Sequence, residues 1–235
     1  MFKIAITAGH HKHTAGKRMP KELDKNETRE WALNSRIADK VEKRLKSFEG
    51  YELIRTDDRT GEKGIPNSER IAKANNFDAD IYLSIHHNAG INGGKGGGIV
   101  AYTYTRVDQI TKDWQKELYD ALIKHTGLKG NRAKPLATGD YQVLRETKMP
   151  AVLLECGFLD SATDCPIILS EKYADKCAAA IVEVLVKRGG LKAKPEEVRY
   201  IVQTGAFSKR ENAEKQVAEL KTKGFEAIIK QINER

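Results

Sequence analysis

Residues 79–88 read Ala-Asp-Ile-Tyr-Leu-Ser-Ile-His-His-Asn, a short apolar run that ends in two histidines. The run Ile81–His86 predicts a buried β-strand, because it is short and rich in aliphatic and aromatic side chains. In open α/β sheets, functional groups collect at the carboxyl ends of strands. This stretch therefore predicts a strand and, where it ends, a candidate site that includes His86 and His87.

Strand-like and helix-like patterns alternate along the first 188 residues. The predicted strands are Phe2–Thr7, Tyr51–Arg55, Ile81–His86, Ile99–Tyr104 and Ala151–Glu155, and the predicted helices are Thr28–Leu45, Ser68–Asn76, Thr111–His125 and Ala174–Lys187. This alternation is typical of an α/β fold, in which helices pack on a largely parallel sheet.

The pattern breaks after the last of these helices. The glycine- and lysine-rich stretch that begins at Gly189 and reaches Pro195 predicts a linker, which we place at residues 189–198. A strand–helix–strand pattern then predicts a small βαβ segment within residues 199–235, with strands at Tyr200–Thr204 and Glu226–Ile232 around a helix at Arg210–Thr222.

The composition is that of a basic globular protein. The 235 residues are 40% apolar and 31% charged, and the formal charge is +8. Residues 195–235 contain eight basic and seven acidic side chains, so nearly all of this charge lies in residues 1–194. Such a surface attracts nucleic acid, anionic membranes or the acidic polymers of a bacterial wall, and is also compatible with no single partner. No nucleic-acid-binding motif is recognised.

Nothing in the sequence predicts membrane insertion or a signal peptide. No apolar run approaches the roughly 20 residues that span a bilayer, and the N-terminus lacks the apolar region of a secretory signal. The three cysteines, Cys156, Cys165 and Cys177, provide neither a disulfide framework nor a metal-binding spacing. We therefore expect synthesis in the cytoplasm without a signal peptide.

Five of the six histidines fall in two clusters that follow predicted strands. His10, His11 and His13 follow the first strand, and His86 and His87 end another. Both clusters therefore lie at carboxyl ends of strands, where candidate ligands or catalytic groups are expected.

Glu30 lies on the apolar face of a predicted helix. It stands three residues before Leu33 and seven before Ile37, which begin the buried stripe of that helix. A buried carboxylate is costly unless it is paired, hydrogen-bonded or bound to a metal. A first-turn acid favoured by the helix dipole is the alternative, and Glu27 is a competing, more exposed candidate.

Glu155 ends the apolar strand Ala151–Glu155, either as a solvated rim residue or as part of a site. Catalytic zinc sites commonly use three His and Glu ligands and leave one position for water. A further carboxylate near the metal can move protons. Spacing alone leaves these alternatives open, since the candidates are far apart in sequence.

Several separated motifs occur together in one order: Ala8-Gly9-His10, Glu30 with Asn34 and Ile37-Ala38, Arg55-Thr56-Asp57, Arg70 with Ala74-Asn75, residues 79–89, residues 143–155, and Gly157-Phe158. In this the chain resembles the zinc-dependent N-acetylmuramoyl-L-alanine amidases of bacterial autolysins and phage endolysins. The resemblance covers about residues 1–188.

The resemblance implies a catalytic domain at residues 1–188 with a twisted, mostly parallel six-stranded sheet flanked by helices. It implies one Zn²⁺ held by His10, Glu30 and His86, with Glu155 as the catalytic carboxylate. The implied reaction hydrolyses the amide between N-acetylmuramic acid and L-alanine of peptidoglycan through zinc-activated water. A phage endolysin or a sporulation autolysin, acting at the wall after release, would fit this description.

The first loop departs from the family's Asp-Pro-Gly-His-Gly pattern, because residues 7–11 read Thr-Ala-Gly-His-His. His11 and His13 could therefore compete as ligands, and we rank His10 first because it follows the strand-end glycine directly. Side chains alternate along a strand, so we expect His87 to point away from His86 and to be structural, with substrate contact as the alternative.

Cys156 and Arg145 lie near the candidate site in sequence. We expect Cys156 to be a small buried residue and not a nucleophile. Arg145 could hold a substrate carboxylate, or it could form an ion pair that stabilises the fold.

The C-terminal segment resembles half of a SPOR domain, a module that binds peptidoglycan glycan strands. The resemblance rests on residues 202–208, the helix around Ala213–Leu220 and Gly224-Phe225. About 40 residues rarely bury enough apolar surface to fold alone. We therefore expect this segment to pair between two chains as a homodimer or to dock on the catalytic domain, and a partly disordered tail is the alternative.

Two other functions use the same residues. A zinc peptidase or carboxypeptidase acting on wall peptides would need the same water chemistry. A non-catalytic wall-binding protein is disfavoured because the three candidate ligands and Glu155 are all present. The sequence therefore favours a peptidoglycan amidase, with anionic wall polymers as possible further partners.

Overall fold

The computed structural model describes residues 1–195 and 203–231. The chain divides into two compact units, Met1–Lys194 and Pro195–Arg235. Among the described residues, no helix has the length and apolar character that crossing a membrane requires.

Every strand and helix predicted for the first 188 residues forms, with ends that differ by a few residues. The elements of the first unit are β1 (Phe2–Ala8), α1 (Glu30–Leu45), β2 (Phe48–Glu49), β3 (Tyr51–Arg55), α2 (Asn67–Asn76), β4 (Ile81–Asn88), β5 (Ile99–Thr103), α3 (Gln109–Thr126), β6 (Leu136–Thr138), α4 (Gln142–Arg145), β7 (Ala151–Phe158), α5 (Cys165–Ile168), α6 (Glu171–Gly189) and β8 (Lys192–Ala193).

Six of these strands form the main sheet, in the order β3-β1-β4-β7-β5-β6. All neighbouring strands are parallel except β5 and β7, which are antiparallel. This confirms the mostly parallel six-stranded sheet flanked by helices. The sequence did not indicate β6, which has only three residues and leaves Leu136 exposed.

Alternate side chains of the strands pack on opposite faces of the sheet. On β1, Ile4 and Ile6 join the larger apolar cluster, which also contains residues of α1, α3 and α6. Ala5 joins the smaller cluster, with residues of α2 and α4. The period of two in the strand sequence thus gives a three-layer arrangement. It also fixes the carboxyl ends of β1, β4 and β7 side by side, because these strands are parallel neighbours.

The first unit extends into the predicted linker, residues 189–198. Leu191 is buried, and β8 pairs with β2 in a separate two-stranded sheet. Residues 189–194 therefore fold with the first unit, because they contribute both apolar contact and backbone hydrogen bonds.

Within its described residues, the second unit contains one helix, α7 (Arg210–Thr222), with the predicted bounds. The predicted strand Glu226–Ile232 does not form over its described residues, 226–231, and Ile232 lies outside the described residues. Of the predicted strand Tyr200–Thr204 only residues 203 and 204 are described, and they are not in a strand. The described residues of the expected βαβ segment therefore contain its helix but not the strand at residues 226–231, since a strand needs a hydrogen-bonded neighbour and a segment this short offers few. Residues 200–202, most of the first predicted strand, lie outside the described residues.

Candidate active site

The sheet topology brings the two histidine clusters together. Strands β1 and β4 are parallel neighbours, with Ala8 opposite Ile85. The backbone N–H of Gly9 continues this pairing and donates to the carbonyl of Ile85 at 2.8 Å. His10 and His86 therefore leave the same edge of the sheet, and their ring centroids are 5.1 Å apart.

Glu30 reaches this pair from the first turn of α1. It is buried with Leu33, Ile37 and the rest of the apolar stripe. Its Oε2 lies 3.3 Å from His10 Nε2, and its Oε1 lies 3.1 Å from His86 Nδ1. One ligand atom from each of His10, Glu30 and His86 lies within 4.8 Å of the others, and this is the only such three-residue group of His, Cys, Asp or Glu found among the described residues.

Close packing at the end of β1 sets the position of His86. A Cβ atom on Gly9 would lie 2.1 Å from the His86 ring, so only glycine leaves room for this ring. The next residue, His10, has a left-handed backbone with φ of 65°, a conformation that is costly outside glycine and persists only where neighbours hold it.

The guanidinium of Arg70, on α2, provides this support. It donates to the carbonyls of Ala8 and His10 at 2.8 and 3.0 Å and to Thr7 Oγ1 at 2.6 Å. Arg70 is buried, and burial lowers the pKa of its guanidinium. The loop that carries His10 is therefore fixed by a buried cation.

The charge states of the cluster suit cation binding. Burial opposes ionisation of Glu30, but the close polar contacts with His10 and His86 and their charge outweigh it and hold the pKa of this carboxyl well below its usual range. Burial lowers the pKa of His86, which favours the neutral imidazole. An ionised carboxylate and a neutral imidazole are the forms that ligate metals.

Glu155 is the next carboxylate at this edge. It lies opposite His86 in the parallel register of β4 and β7. It is 9% exposed, and its Oε2 is buried without a hydrogen-bond partner among the described residues. Burial and the nearby charge of Glu30 raise the pKa of Glu155 to about 8, against the opposing effect of Lys17.

The side chains present fit a divalent metal ion. Glu30 Oε2 is buried and accepts no hydrogen bond from the part of the chain that the structure describes, although it faces His10 Nε2 at 3.3 Å and Lys17 Nζ at 3.6 Å. A buried carboxylate oxygen without a donor is costly unless a cation compensates it. Two imidazoles and a carboxylate are also the donor set that catalytic zinc commonly uses.

The side chains of His11, His13 and His87 lie outside this group of three. His13 is exposed, with Nε2 3.3 Å from the Glu62 carboxylate, and His13 N–H donates to His11 Nδ1. His87 is buried and its Nδ1 lies 2.8 Å from Asn34 Oδ1, which agrees with a structural role. Neither His11 nor His13 belongs to the three-residue group.

The remaining candidates have other contacts. Glu27 is partly exposed and pairs with Arg18 at 2.9 Å. Arg145 forms ion pairs with Asp140 and Glu146, which agrees with the alternative in which Arg145 stabilises the fold and does not hold a substrate carboxylate. Cys156 is a buried free thiol.

Sequence reasoning assigned no role to three residues that contact the cluster. Asn34 hydrogen-bonds to Glu30, Arg70 holds the loop at His10, and Lys17 Nζ lies 3.6 Å from Glu30 Oε2. The spacing of Asn34, one helical turn after Glu30, could have indicated this contact, because residues four apart on a helix are neighbours. The contacts of Arg70 and Lys17 are long-range or within a loop, so spacing gave no indication of them.

A half-buried His–Glu–His cluster with a neighbouring carboxylate at the edge of a mostly parallel sheet is the arrangement expected of a metal-dependent hydrolase. Comparison with known families agrees. The chain belongs to the N-acetylmuramoyl-L-alanine amidase family, whose model matches residues 4–187, and residues 196–235 match the SPOR domain. It is therefore a peptidoglycan amidase that acts on the bacterial cell wall.

Similar proteins support the same conclusion. A sporulation-specific N-acetylmuramoyl-L-alanine amidase of Bacillus subtilis is 30% identical over 230 residues, which cover 97% of this chain and 84% of that protein. The crystal structure of an N-acetylmuramoyl-L-alanine amidase from Clostridium difficile 630 is similar with a TM-score of 0.70 and 27% identity, over 79% of this chain and 95% of that one. The catalytic domain of CwlV, an amidase of Paenibacillus polymyxa, gives a TM-score of 0.70 and 25% identity, over 82% and 100%.

Proposed function

We propose that residues 1–188 hydrolyse the muramoyl–alanine amide with one Zn²⁺ bound by His10, Glu30 and His86. The observation that carries this proposal is the convergence of these three side chains within 4.8 Å. The buried Glu30 Oε2, which accepts no hydrogen bond within the described residues, and the close fit of Gly9 against the His86 ring support it.

Zinc, when bound, lowers the pKa of its water to about 7 and polarises the substrate carbonyl. Glu155 accepts a proton from the attacking water and delivers it to the nitrogen of the departing alanine. The carbon–nitrogen bond breaks, and the water oxygen stays on the lactyl carbonyl carbon. Burial raises the pKa of Glu155 to about 8. Nearby positive charge lowers such a pKa and favours the carboxylate that can act as a base.

Metal analysis and wall digestion test this proposal together. Purified full chain should contain one Zn²⁺ per molecule and should clear a suspension of purified walls. A chelator should abolish clearing, and added Zn²⁺ should restore it. Clearing that persists after complete removal of metal would overturn the proposal.

The products distinguish the amidase from a zinc peptidase. Cleavage at the lactyl amide releases stem peptides with free N-terminal alanine and leaves muramic acid without peptide. New termini at other stem residues would indicate a peptidase. The family match makes the amidase products the expected result.

We also propose that anionic wall polymers bind beside the active site. The loops at residues 93–98 and 129–134 pack together, because Gly97 N–H donates to Asn131 Oδ1 at 3.0 Å. They flank the carboxyl end of β7, since Ile99 of β5 pairs with Cys156. The loops expose four basic side chains that form no ion pair among the described residues: Lys95, Lys129, Arg132 and Lys134.

Charge removal tests this binding. The double variant Lys129→Gln/Lys134→Gln should bind more weakly to walls that retain phosphate polymers and should match the unaltered chain on walls stripped of them. Lys112→Gln is the control, because Lys112 lies near the first residue of α3, whereas the loop at residues 129–134 follows the last residue of α3. Equal binding of the double variant and the control to phosphate-rich walls would contradict the proposal.

The C-terminal segment is proposed to bind glycan strands and to pair between two chains. The SPOR match supports wall binding. Exposed apolar side chains support pairing, because Phe207, Phe225 and Ile228 are 45%, 62% and 89% exposed. Burying such side chains against a second copy gains about 25 cal/mol per Å².

Sedimentation of the full chain tests the pairing. The unaltered protein should be a dimer at micromolar concentration, and Ile228→Glu should be a monomer that keeps amidase activity on short substrates. Glu214→Gln, an exposed change on α7, should leave the dimer unchanged. A monomeric unaltered protein at all concentrations would exclude pairing.

A further inference from the structure

We propose that Asn34 is a positioning residue that holds the three ligand-bearing segments together, an inference that rests on the proposed metal site. Asn34 is fully buried on α1, one turn after Glu30. Its side chain reaches the end of β1, α1 itself and β4. These are the segments that carry His10, Glu30 and His86.

Three hydrogen bonds define this contact. Asn34 Nδ2 donates to the carbonyl of Gly9 at 3.1 Å and to Glu30 Oε1 at 3.3 Å. Asn34 Oδ1 lies 2.8 Å from His87 Nδ1. A single buried amide thus touches one ligand directly and the chain neighbours of the other two.

The contacts require a carboxamide. Both Nδ2 partners are acceptors, so Oδ1 must face His87 and accept from it. His87 therefore carries a proton on Nδ1. An aspartate at this position would lose both donated bonds and place a second buried negative charge beside Glu30, and an aliphatic side chain would lose all three bonds.

The network fixes the rotation of the Glu30 carboxylate. Oε1 accepts from Asn34 and also from the His87 backbone N–H at 3.3 Å. Oε2 accepts no hydrogen bond within the described residues and faces His10 Nε2 at 3.3 Å and the exposed Lys17 Nζ at 3.6 Å. Asn34 thereby turns the other oxygen of Glu30 towards His10, where a bound cation could replace the longer contact with Lys17. Residues that orient metal ligands in this way typically change affinity by about 10- to 100-fold when they are replaced.

Asn34→Asp and Asn34→Ser test the inference, with Zn²⁺ affinity measured by competition against a chromophoric chelator. Both variants should bind Zn²⁺ about 10- to 100-fold more weakly than the unaltered chain. Their Co²⁺ derivatives should show altered visible absorption, because the ligand geometry is less constrained.

Two controls separate positioning from general stability. Ser35→Ala changes the neighbouring buried residue, whose hydroxyl contacts Asp39 and not the site. Ile37→Ala leaves a cavity on the same apolar stripe and lowers stability. Both controls should keep the Zn²⁺ affinity and the Co²⁺ spectrum. Unchanged affinity in folded Asn34 variants would overturn the inference.

A measurement on the unaltered chain does not depend on any variant folding. Nitrogen NMR of His87 should show the proton on Nδ1, and a proton on Nε2 alone would contradict the network. If the unaltered chain bound no Zn²⁺, the proposed function itself would fail. If it bound Zn²⁺ and the Asn34 variants bound equally well, only this inference would fail.

Discussion

His86 on β4 and Glu155 on β7 are opposite each other in the register of two parallel strands. Residues opposite each other on neighbouring strands point to the same face of a sheet. His86 also contacts Glu30, so the proposed proton-transferring carboxylate stands next to a proposed ligand without being part of the three-residue group.

Separate roles for these neighbours predict separate effects of mutation. Glu155→Gln should retain one Zn²⁺ and lower the rate of wall hydrolysis by about 10²- to 10⁴-fold, because it removes proton transfer and preserves shape. His86→Ala should lose the metal and the activity together. Metal analysis and product release check both variants. Loss of metal in Glu155→Gln equal to that in His86→Ala would show that Glu155 is a ligand.

The raised pKa of Glu155 predicts how the stability of the metal-free protein depends on pH. Its pKa rises from an ordinary 4.5 to about 8 in the folded chain. The folded state therefore binds this proton more tightly than the unfolded state, and between pH 4.5 and 8 Glu155 lowers the free energy of unfolding as pH increases. A tenfold difference in proton affinity between the two states corresponds to about 1.4 kcal/mol.

Urea unfolding of metal-free protein at several pH values measures this effect. Glu155→Gln should be more stable than the unaltered chain at pH 8, and the difference should shrink towards pH 5. The comparison uses the difference in stability between the two proteins, because two buried histidines also titrate. Burial lowers the pKa values of His86 and His87, so these residues reduce stability as the pH falls, in both proteins alike. A difference that does not vary with pH would contradict the prediction.

Replacement of Arg70 should weaken the loop that carries His10 and, through this loop, the binding of Zn²⁺. Arg70→Met leaves the carbonyls of Ala8 and His10 without this donor. Hydrogen bonds to charged groups contribute about 1.5–3 kcal/mol each, so the free energy of unfolding should fall by at least that amount. The left-handed backbone of His10 should relax, and Zn²⁺ affinity should fall.

The exposed Lys73 on the same helix provides the control for Arg70. Lys73→Met removes only an exposed pair with Glu69 and should change stability by less than about 0.5 kcal/mol. Urea unfolding and chelator competition measure both variants. Unaltered Zn²⁺ affinity in Arg70→Met would mean that the loop holds His10 without this contact.

The sequence predicted the parts of the fold that depend on local pattern. The strands that carry His86 and Glu155 were predicted because an apolar run ending in polar residues is a strong signal. The burial of Glu30 was predicted from its place on an apolar stripe. The choice of His10, Glu30 and His86 among the candidate ligands came from the resemblance to a family. The expectation of synthesis without a signal peptide stays a prediction.

Features that depend on tertiary contacts could not be predicted. The guanidinium of Arg70 supports a loop 60 residues earlier in the chain, and no spacing rule connects them. The short strands β6 and β8 have too few residues to show alternation. The predicted strand Glu226–Ile232 does not form over its described residues, 226–231, because a β-like pattern gives no information about a pairing partner.

Anomalous X-ray diffraction at the zinc edge, from crystals of the full chain grown with Zn²⁺, is the sharpest test of the proposed metal site. We expect one strong anomalous peak in the catalytic domain, about 2.0–2.2 Å from a nitrogen of His10, a nitrogen of His86 and an oxygen of Glu30. A peak at His11 or His13, or none at the three converging side chains, would refute the site and the hydrolytic mechanism that depends on it.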